Sequence, residues 1–253
     1  MPTLTVLGCD GSWPGPGGAG SGYLVQADDT AVLLDAGPGT FANLCRWSDP
    51  ARLTAVLVTH EHPDHWTDLE SLATWAGFGP GRARYRDGGD GRDGGDGALT
   101  VYAPPGLRAR AYCAQASWID WRELAPSLVL TLGSMVARFV ATDHGPPTLA
   151  VALEHRGATL AYSADSGPGW SVEELGEGIG TFLCEATYTR ESEGALQHLS
   201  ARQAGTMARA AGVARLILTH RWPTVSADAV RREAEAAFGR PVEQAEAGVV
   251  FDW

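Results

Sequence analysis

The stretch Thr59-His60-Glu61-His62-Pro63-Asp64-His65 concentrates three imidazoles and two carboxylates within six residues. Histidine and carboxylate are ligands for zinc and its neighbours, and no thiolate stands near them in the sequence. The run directly follows a short apolar segment, Ala55–Val58, that reads as a strand. Alternation along an extended turn places His60 and His62 on one side, so that Asp64 and His65 can face a second site across it. A surface cluster of histidines would be the plainer reading of any one of them. Four ligand-type side chains in HxHxDH spacing argue for metal chemistry.

Further candidates lie where strands end. His144 follows the expected strand Met135–Ala141, Asp165 follows Thr159–Tyr162, and His220 follows Leu216–Leu218. Strand ends that feed loops are where α/β sheets place their chemistry. His155 has no such context and reads as structural. Trp66 and Trp222 follow ligand candidates closely. With Tyr188 they could stack a nucleobase or simply pack beneath the loops.

The elements that must position these groups are mixed. Leu4–Leu7, Tyr23–Val25, Ala31–Leu34, Leu149–Leu153, Phe182–Cys184 and Val249–Phe251 also read as strands. Helical patterns cover Asp68–Ala76, Ser200–Ala211 and Ser226–Phe238. The second opens on Ser200 with Gln203 three residues on, a capping-box signature, and the third closes on Gly239 and Pro241. Layered sheets covered by helices are the expected solution. One segment buries nothing: Arg86–Gly97 is RDGGDG twice over. It reads as part of a mobile surface insertion at about 82–98, within one domain spanning 1–253. Its spacing fits neither an EF-hand nor an RTX calcium loop.

Composition narrows the partners. The chain has 253 residues, 44% of them apolar, and a formal charge of −11 from 19 basic and 30 acidic side chains. A protein that grips a long polyanion needs clustered cations, and the densest cationic stretch is Arg82 to Arg86. A stable nucleic-acid partner is therefore disfavoured. Cys9, Cys45, Cys113 and Cys184 are far apart and read as reduced thiols. No signal-peptide pattern and no membrane-length apolar run is visible, so a cytoplasmic protein without membrane contact is the default.

The ordered set HEHPDH, His144, Asp165 and His220 resembles the ligand series of the metallo-β-lactamase superfamily. The resemblance runs from LTVLGCDGS through SGYLV and LLDAGPGT to near Gly239. It implies an α/β fold, the four-layer αββα sandwich, with metals at one sheet edge. It further implies two divalent ions, zinc before manganese or iron. His60, His62 and His144 would hold one, Asp64, His65 and His220 the other, and Asp165 would bridge them. Asp64 would also orient the attacking water, and Asp35 would support the first histidine motif without being a ligand. LAYSADSG, FLCEATY, His198-Leu-Ser200 and LILTHRWP are similar to the ribonuclease Z-like phosphodiesterase branch, closest to small bacterial members that hydrolyse cyclic nucleotides. In that branch two further groups act beyond the metals, here Glu185 and His198; HLS replaces the usual HST. The long RNA-gripping arm of tRNA-processing members has no counterpart between His144 and Asp165, where only a hairpin fits. The expectation is a hydrolase of a small phosphodiester. A lactonase, thioesterase or β-lactam hydrolase on the same fold is the alternative, and a non-catalytic carrier is a weaker one. Family members often dimerise, so a homodimer is left open.

Overall fold

The computed structural model describes residues 1–87 and 97–253; the repeat expected as a surface insertion falls mostly on 88–96, outside the described residues. Its flank is structured. Arg82–Tyr85 forms a helical turn, and the buried Tyr85 ring donates its hydroxyl to the Pro50 carbonyl at 2.9 Å.

Period-two alternation of apolar residues builds two sheets. The first contains β1 (Thr3–Gly8), β2 (Gly22–Ala27), β3 (Thr30–Leu34), β4 (Ala55–Leu57), β5 (Leu99–Ala103) and β6 (Ile119–Glu123) in spatial sequence. The second contains β7 (Val129–Leu132), β8 (Met135–Ala141), β9 (Leu149–His155), β10 (Ala158–Tyr162), β11 (Thr181–Glu185), β12 (Arg215–Thr219) and β13 (Glu243–Gln244), again in spatial sequence. The last strand, β14 (Val250–Asp252), returns to pair with β1 in the first sheet.

The inner strands of both sheets have two buried faces, which is why several read as continuous apolar runs. On β2 and β3, Tyr23, Val25, Val32 and Leu34 enter the core shared with the second sheet, while Leu24, Ala31 and Leu33 turn to the opposite face. On β9, Leu149, Val151 and Leu153 join the central core, and Ala150 and Ala152 face outward under helices. The outer layer over the first sheet is α1 (Thr40–Trp47) and α2 (Leu69–Phe78), whose Leu44, Leu69, Leu72, Ala73 and Ala76 are buried there. After α3 (Arg82–Tyr85) and the short α4 (Leu107–Arg110), the layer over the second sheet is α5 (Ala201–Ala210) and α6 (Ala227–Phe238). The four layers make the αββα sandwich. The capping box on α5 forms as the sequence implies: Ser200 accepts from Gln203 N at 3.1 Å, and the Gln203 side chain accepts from Ser200 N at 2.9 Å.

Topology decides where loops gather. β3 to β6 run parallel, as do β10 to β13. Parallel neighbours release their chains at a common edge. Between His144 and Asp165 the chain makes only the antiparallel β9–β10 hairpin, turning at Arg156 and Gly157 with positive φ at both. Among the described residues no helix is long and apolar enough to cross a membrane.

Candidate active site

Five strand ends and one 3₁₀ turn deliver the polar cluster. The chain leaves β4 and reaches His60 three residues on. Pro63 opens a 3₁₀ turn, Pro63–His65, that folds Asp64 and His65 back over the same edge. His144 follows β8, Asp165 follows β10, Glu185 ends β11 and His220 follows β12. The backbone of the Asp64 turn is pressed against two loops. Ser21 N donates to Asp64 O at 3.0 Å, and a Cβ on Gly37 would lie 2.0 Å from that oxygen. Only glycine fits there.

The structure brings all seven expected metal-ligand residues together. Ligand atoms of His60, His62, His144 and Asp165 lie within 4.8 Å of one another, and so do those of Asp64, His65 and His220. Asp165 serves both groups. Its Oδ2 is 3.5 Å from His60 Nε2 and 3.8 Å from His144 Nε2, while its Oδ1 is 3.2 Å from His65 Nε2 and 3.4 Å from His220 Nε2. A carboxylate with one oxygen on each side is placed to bridge.

The imidazoles are held from behind, and the holding fixes their tautomers. Asp35 Oδ2 accepts from His65 Nδ1 at 2.7 Å. Thr59 donates its hydroxyl to Asp35 Oδ2 at 3.0 Å, so it can only accept from His60 Nδ1, also at 3.0 Å. Thr187 likewise donates to Glu185 Oε2 at 2.6 Å and accepts from His220 Nδ1 at 3.0 Å. His144 Nδ1 donates to the Gln197 carbonyl at 2.8 Å. Four rings thus carry their proton on Nδ1 and present the Nε2 lone pair inward. His62 presents Nδ1, 3.2 Å from His144 Nε2.

This donor set fits divalent metal ions. His60 Nε2, His65 Nε2 and Asp165 Oδ1 are buried with no hydrogen-bond partner. Orphaned buried polar atoms are costly unless something pairs with them, and three converging on one spot call for a cation. Ionisation agrees in direction at His60, His62, His144 and Asp165, and runs the other way at His65. Burial lowers the pKa of His60, His62 and His144, which favours the neutral form that binds metal. Burial opposes charge on Asp165 as well, but the imidazoles of His220, His65 and His60 outweigh it and hold the carboxyl well below its usual range. His65 moves up: burial works against its charge, and the carboxylates of Asp165, Asp35 and Asp64 overcome that.

Glu185 and His198 stand at the same centre. His198 Nδ1 is 3.2 Å from Glu185 Oε1 and 3.9 Å from Asp165 Oδ2. Glu185 is fully buried and also accepts from Ser166 N at 2.6 Å. Burial disfavours an imidazolium at His198, but the Glu185 carboxylate prevails and raises its pKa to about 9. One feature was not foreseen from sequence: with Asp165 and His220, His198 makes a third set of mutually close ligand-type atoms. Thr59 and Thr187 also went unread, although each sits beside a singled-out residue. Gln197 was not singled out either: its backbone carbonyl holds His144, and its side chain accepts from Gly145 N at 3.2 Å and donates to Asp143 Oδ1 at 2.7 Å, on either side of that histidine. Trp66 is buried in the core beneath α2 and donates its ring N–H to the Glu61 carbonyl at 3.1 Å. His155 lies away from the cluster, its Nδ1 3.1 Å from the Ser134 carbonyl.

A four-layer sandwich that gathers two such donor groups at one edge defines a two-metal hydrolase. The chain belongs to the metallo-β-lactamase superfamily: residues 30–221 match the family model described as the beta-lactamase superfamily domain. It is 36% identical over 254 residues to the uncharacterized protein Rv1339 of Mycobacterium tuberculosis, covering 94% of this chain and 88% of that one. It is 28% identical to ribonuclease Z of Mycobacterium marinum, covering 96% of this chain and 95% of the relative. The crystal structure of the metallo-β-lactamase fold protein YhfI from Bacillus subtilis superposes with a TM-score of 0.86 at 25% identity, over the full length of both chains.

Proposed function

We propose that this protein is a phosphodiesterase that hydrolyses a small phosphodiester, with a cyclic nucleotide as the first candidate. The observation that carries the reading is the Glu185–His198 pair. Glu185 accepts from His198 Nδ1, which leaves Nε2 of the same ring as the proton-bearing atom available to a substrate. An imidazolium so placed pairs with a phosphodiester, which carries a negative charge before reaction; a neutral lactone or thioester offers it no such partner. The similarity to ribonuclease Z supports the same substrate chemistry. The net charge of −11 favours a small diester over a long polyanion, with no stable nucleic-acid partner.

His60, His62, His144 and Asp165 Oδ2 would hold one divalent ion, and Asp64, His65, His220 and Asp165 Oδ1 the other, with zinc the first choice for a nitrogen and oxygen donor set. When bound, the pair supplies Lewis acidity towards the phosphoryl oxygens and lowers the pKa of a water. Asp64 orients the attacking water, its Oδ2 fixed by the Ser12 N–H at 2.8 Å. The water, having lost one proton to solvent, bonds through its oxygen to phosphorus as the opposite P–O bond breaks, and His198 Nε2 gives its proton to the departing oxygen. Glu185 keeps the ring oriented and stabilises its charge. The same reading takes 1–253 as one domain with an insertion at about 82–98, in a cytoplasmic protein, and leaves a homodimer open.

The test is hydrolysis of 2′,3′- and 3′,5′-cyclic nucleotides with zinc or manganese supplied, beside a lactone and a thioester, with His62→Ala as control. Turnover of a cyclic nucleotide that disappears in the control supports the reading. A metal-loaded protein that cleaves only the lactone or thioester overturns it, and one inert to all of them returns the carrier.

A further inference from the structure

We propose that Trp13 and Trp222 form an aromatic platform beside the donor groups that receives the nucleobase of the substrate, so that the site prefers nucleotides to base-free phosphodiesters. This rests on the phosphodiesterase reading and adds how the non-reacting part of the substrate is recognised.

Trp13 is 44% exposed, an unusual position for so large an apolar ring beside a polar centre. Its centroid is 5.6 Å from that of Trp222, with the planes inclined by 36°. Trp222 rests in turn against Tyr188 at 5.9 Å, and Tyr188 is fully buried. Tyr188 meets Trp222 edge to face at 66° and anchors it on the protein side, and Trp13 leaves indole surface to solvent on the other.

The layer is fastened to the metal-ligand groups through one residue. Ser12 Oγ accepts from Trp222 Nε1 at 3.0 Å, and Ser12 N donates to Asp64 Oδ2 at 2.8 Å. The loop that carries Trp13 is held against the segment that follows His220. Gly11 N donates to Arg221 O at 3.0 Å, and a Cβ on Gly11 would lie 2.4 Å from the His220 carbonyl oxygen. Asp10 Oδ2 accepts from Gly15 N at 2.8 Å, which closes the loop behind Trp13. A ring this firmly placed loses little freedom on binding a ligand.

Charge points the same way. Among the described residues, Arg110 and Arg221 are occupied near this edge: Arg110 forks onto both oxygens of Glu61 at 2.7 and 2.8 Å, and Arg221 donates to the carbonyls of Trp222 and Val225. In a chain of net charge −11, affinity for an anionic substrate beyond the metal ions and His198 must come from another source. An aromatic face supplies it without charge. Because every base has such a face, the platform accepts purines generally instead of reading one base.

Two measurements test this. The first needs no turnover: intrinsic tryptophan fluorescence, excited at the red edge of the indole band, is followed during titration with AMP and with ribose 5-phosphate. AMP should quench it, the base-free sugar phosphate should not, and Trp13→Ala should lose most of the quench while Trp13→Phe retains tighter AMP binding than the alanine variant. The second compares 3′,5′-cyclic AMP with glycerol 1,2-cyclic phosphate. Trp13→Ala should raise KM for the nucleotide by on the order of tenfold to a hundredfold, the loss of one base stack. It should leave kcat, and both constants for the glycerol diester, within about twofold. Equal quenching by AMP and ribose 5-phosphate, or equal changes with both diesters, overturns the platform. An absence of turnover on every phosphodiester would overturn the function proposed above, while the AMP titration would still decide the platform.

Discussion

Asp35→Asn separates what holds the metal ligands from the ligands themselves. Asp35 is fully buried and accepts four hydrogen bonds: Thr59 N at 2.8 Å on Oδ1, and Thr59 Oγ1 at 3.0 Å, His65 Nδ1 at 2.7 Å and Tyr162 Oη at 2.9 Å on Oδ2. Asparagine matches the shape, and its oxygen can keep the Thr59 N–H. The amide NH2 then occupies the Oδ2 position and donates where a carboxylate accepted. The hydroxyls of Thr59 and Tyr162 can rotate to accept. His65 Nδ1 can accept only by shifting its proton to Nε2, the atom it presents to Asp64 and Asp165. That proton must be displaced before a metal ion can bind. Losing a supporting partner of this kind costs about 10–100-fold in metal affinity, or about 1.4–2.7 kcal/mol. The effect should be largest on the group containing His65, which loses its direct partner, and smaller on the group containing His60, which Asp35 holds only through Thr59. Competition against a chromophoric chelator would resolve two sites in the wild type and, in the variant, a larger loss at one than at the other. Unchanged affinity at both sites, in a folded variant, would refute the tautomer argument.

His198→Ala should retain both metals by elemental analysis while kcat falls by about 10²–10⁴, the range for loss of a positioned acid; full turnover would remove its role as proton donor. Asp165→Ala removes the one side chain shared by both groups and should lose at least one metal per chain, so a variant that keeps two would contradict the bridging assignment. Gly37→Ala drives a methyl group into the Asp64 carbonyl and should lower metal content through displacement of that turn, measured in the same way. Ser200→Ala deletes the N-cap of α5, along with the hydrogen bond from Ser200 Oγ to Glu193 at 2.7 Å, and should cost roughly 1 kcal/mol in denaturant unfolding; no shift in midpoint would mean the cap is redundant.

The strands that frame the cluster were legible because each carries a buried apolar face, alternating on β8 and continuous on β11 and β12. Met135–Ala141 was expected and observed with identical bounds, the Ser200 start of α5 was marked by its capping box, and the end of α6 by Gly239. β5, β6, β7 and α1 were not read. β6 is Ile-Asp-Trp-Arg-Glu, an edge strand whose alternation is only half apolar, and Val129 on β7 is 57% exposed. Edge strands bury one face or less, so their sequence carries less pattern. α1 begins after Gly39 in a left-handed conformation with no side-chain cap, so nothing in its first turn signals a helix. In the site, residues whose chemistry is unusual for their position were visible, and those that act through ordinary hydroxyls or backbone atoms were not.

The two sheets contribute unlike halves to the centre, and this explains why the supporting bonds cross between them. The first sheet supplies His60, His62, Asp64 and His65 from one continuous run, which fixes their mutual spacing locally. The second supplies His144, Asp165 and His220 from the ends of three different strands, and Glu185 and His198 from the end of β11 and the connection that follows it, so their spacing depends on the sandwich closing correctly. Tyr162 on β10 donates across the interface to Asp35 after β3, and the Tyr23 hydroxyl on β2 meets that of Thr219 at the end of β12. Both contacts lie in the central core, directly behind His65 and His220. A shift of one sheet against the other would therefore break a buried hydrogen bond before it separated the ligands. Because leaving such a group unpaired costs about 1–3 kcal/mol, these tyrosines penalise the misaligned sandwich itself, and correct packing of the core and correct spacing of the metal groups become the same condition.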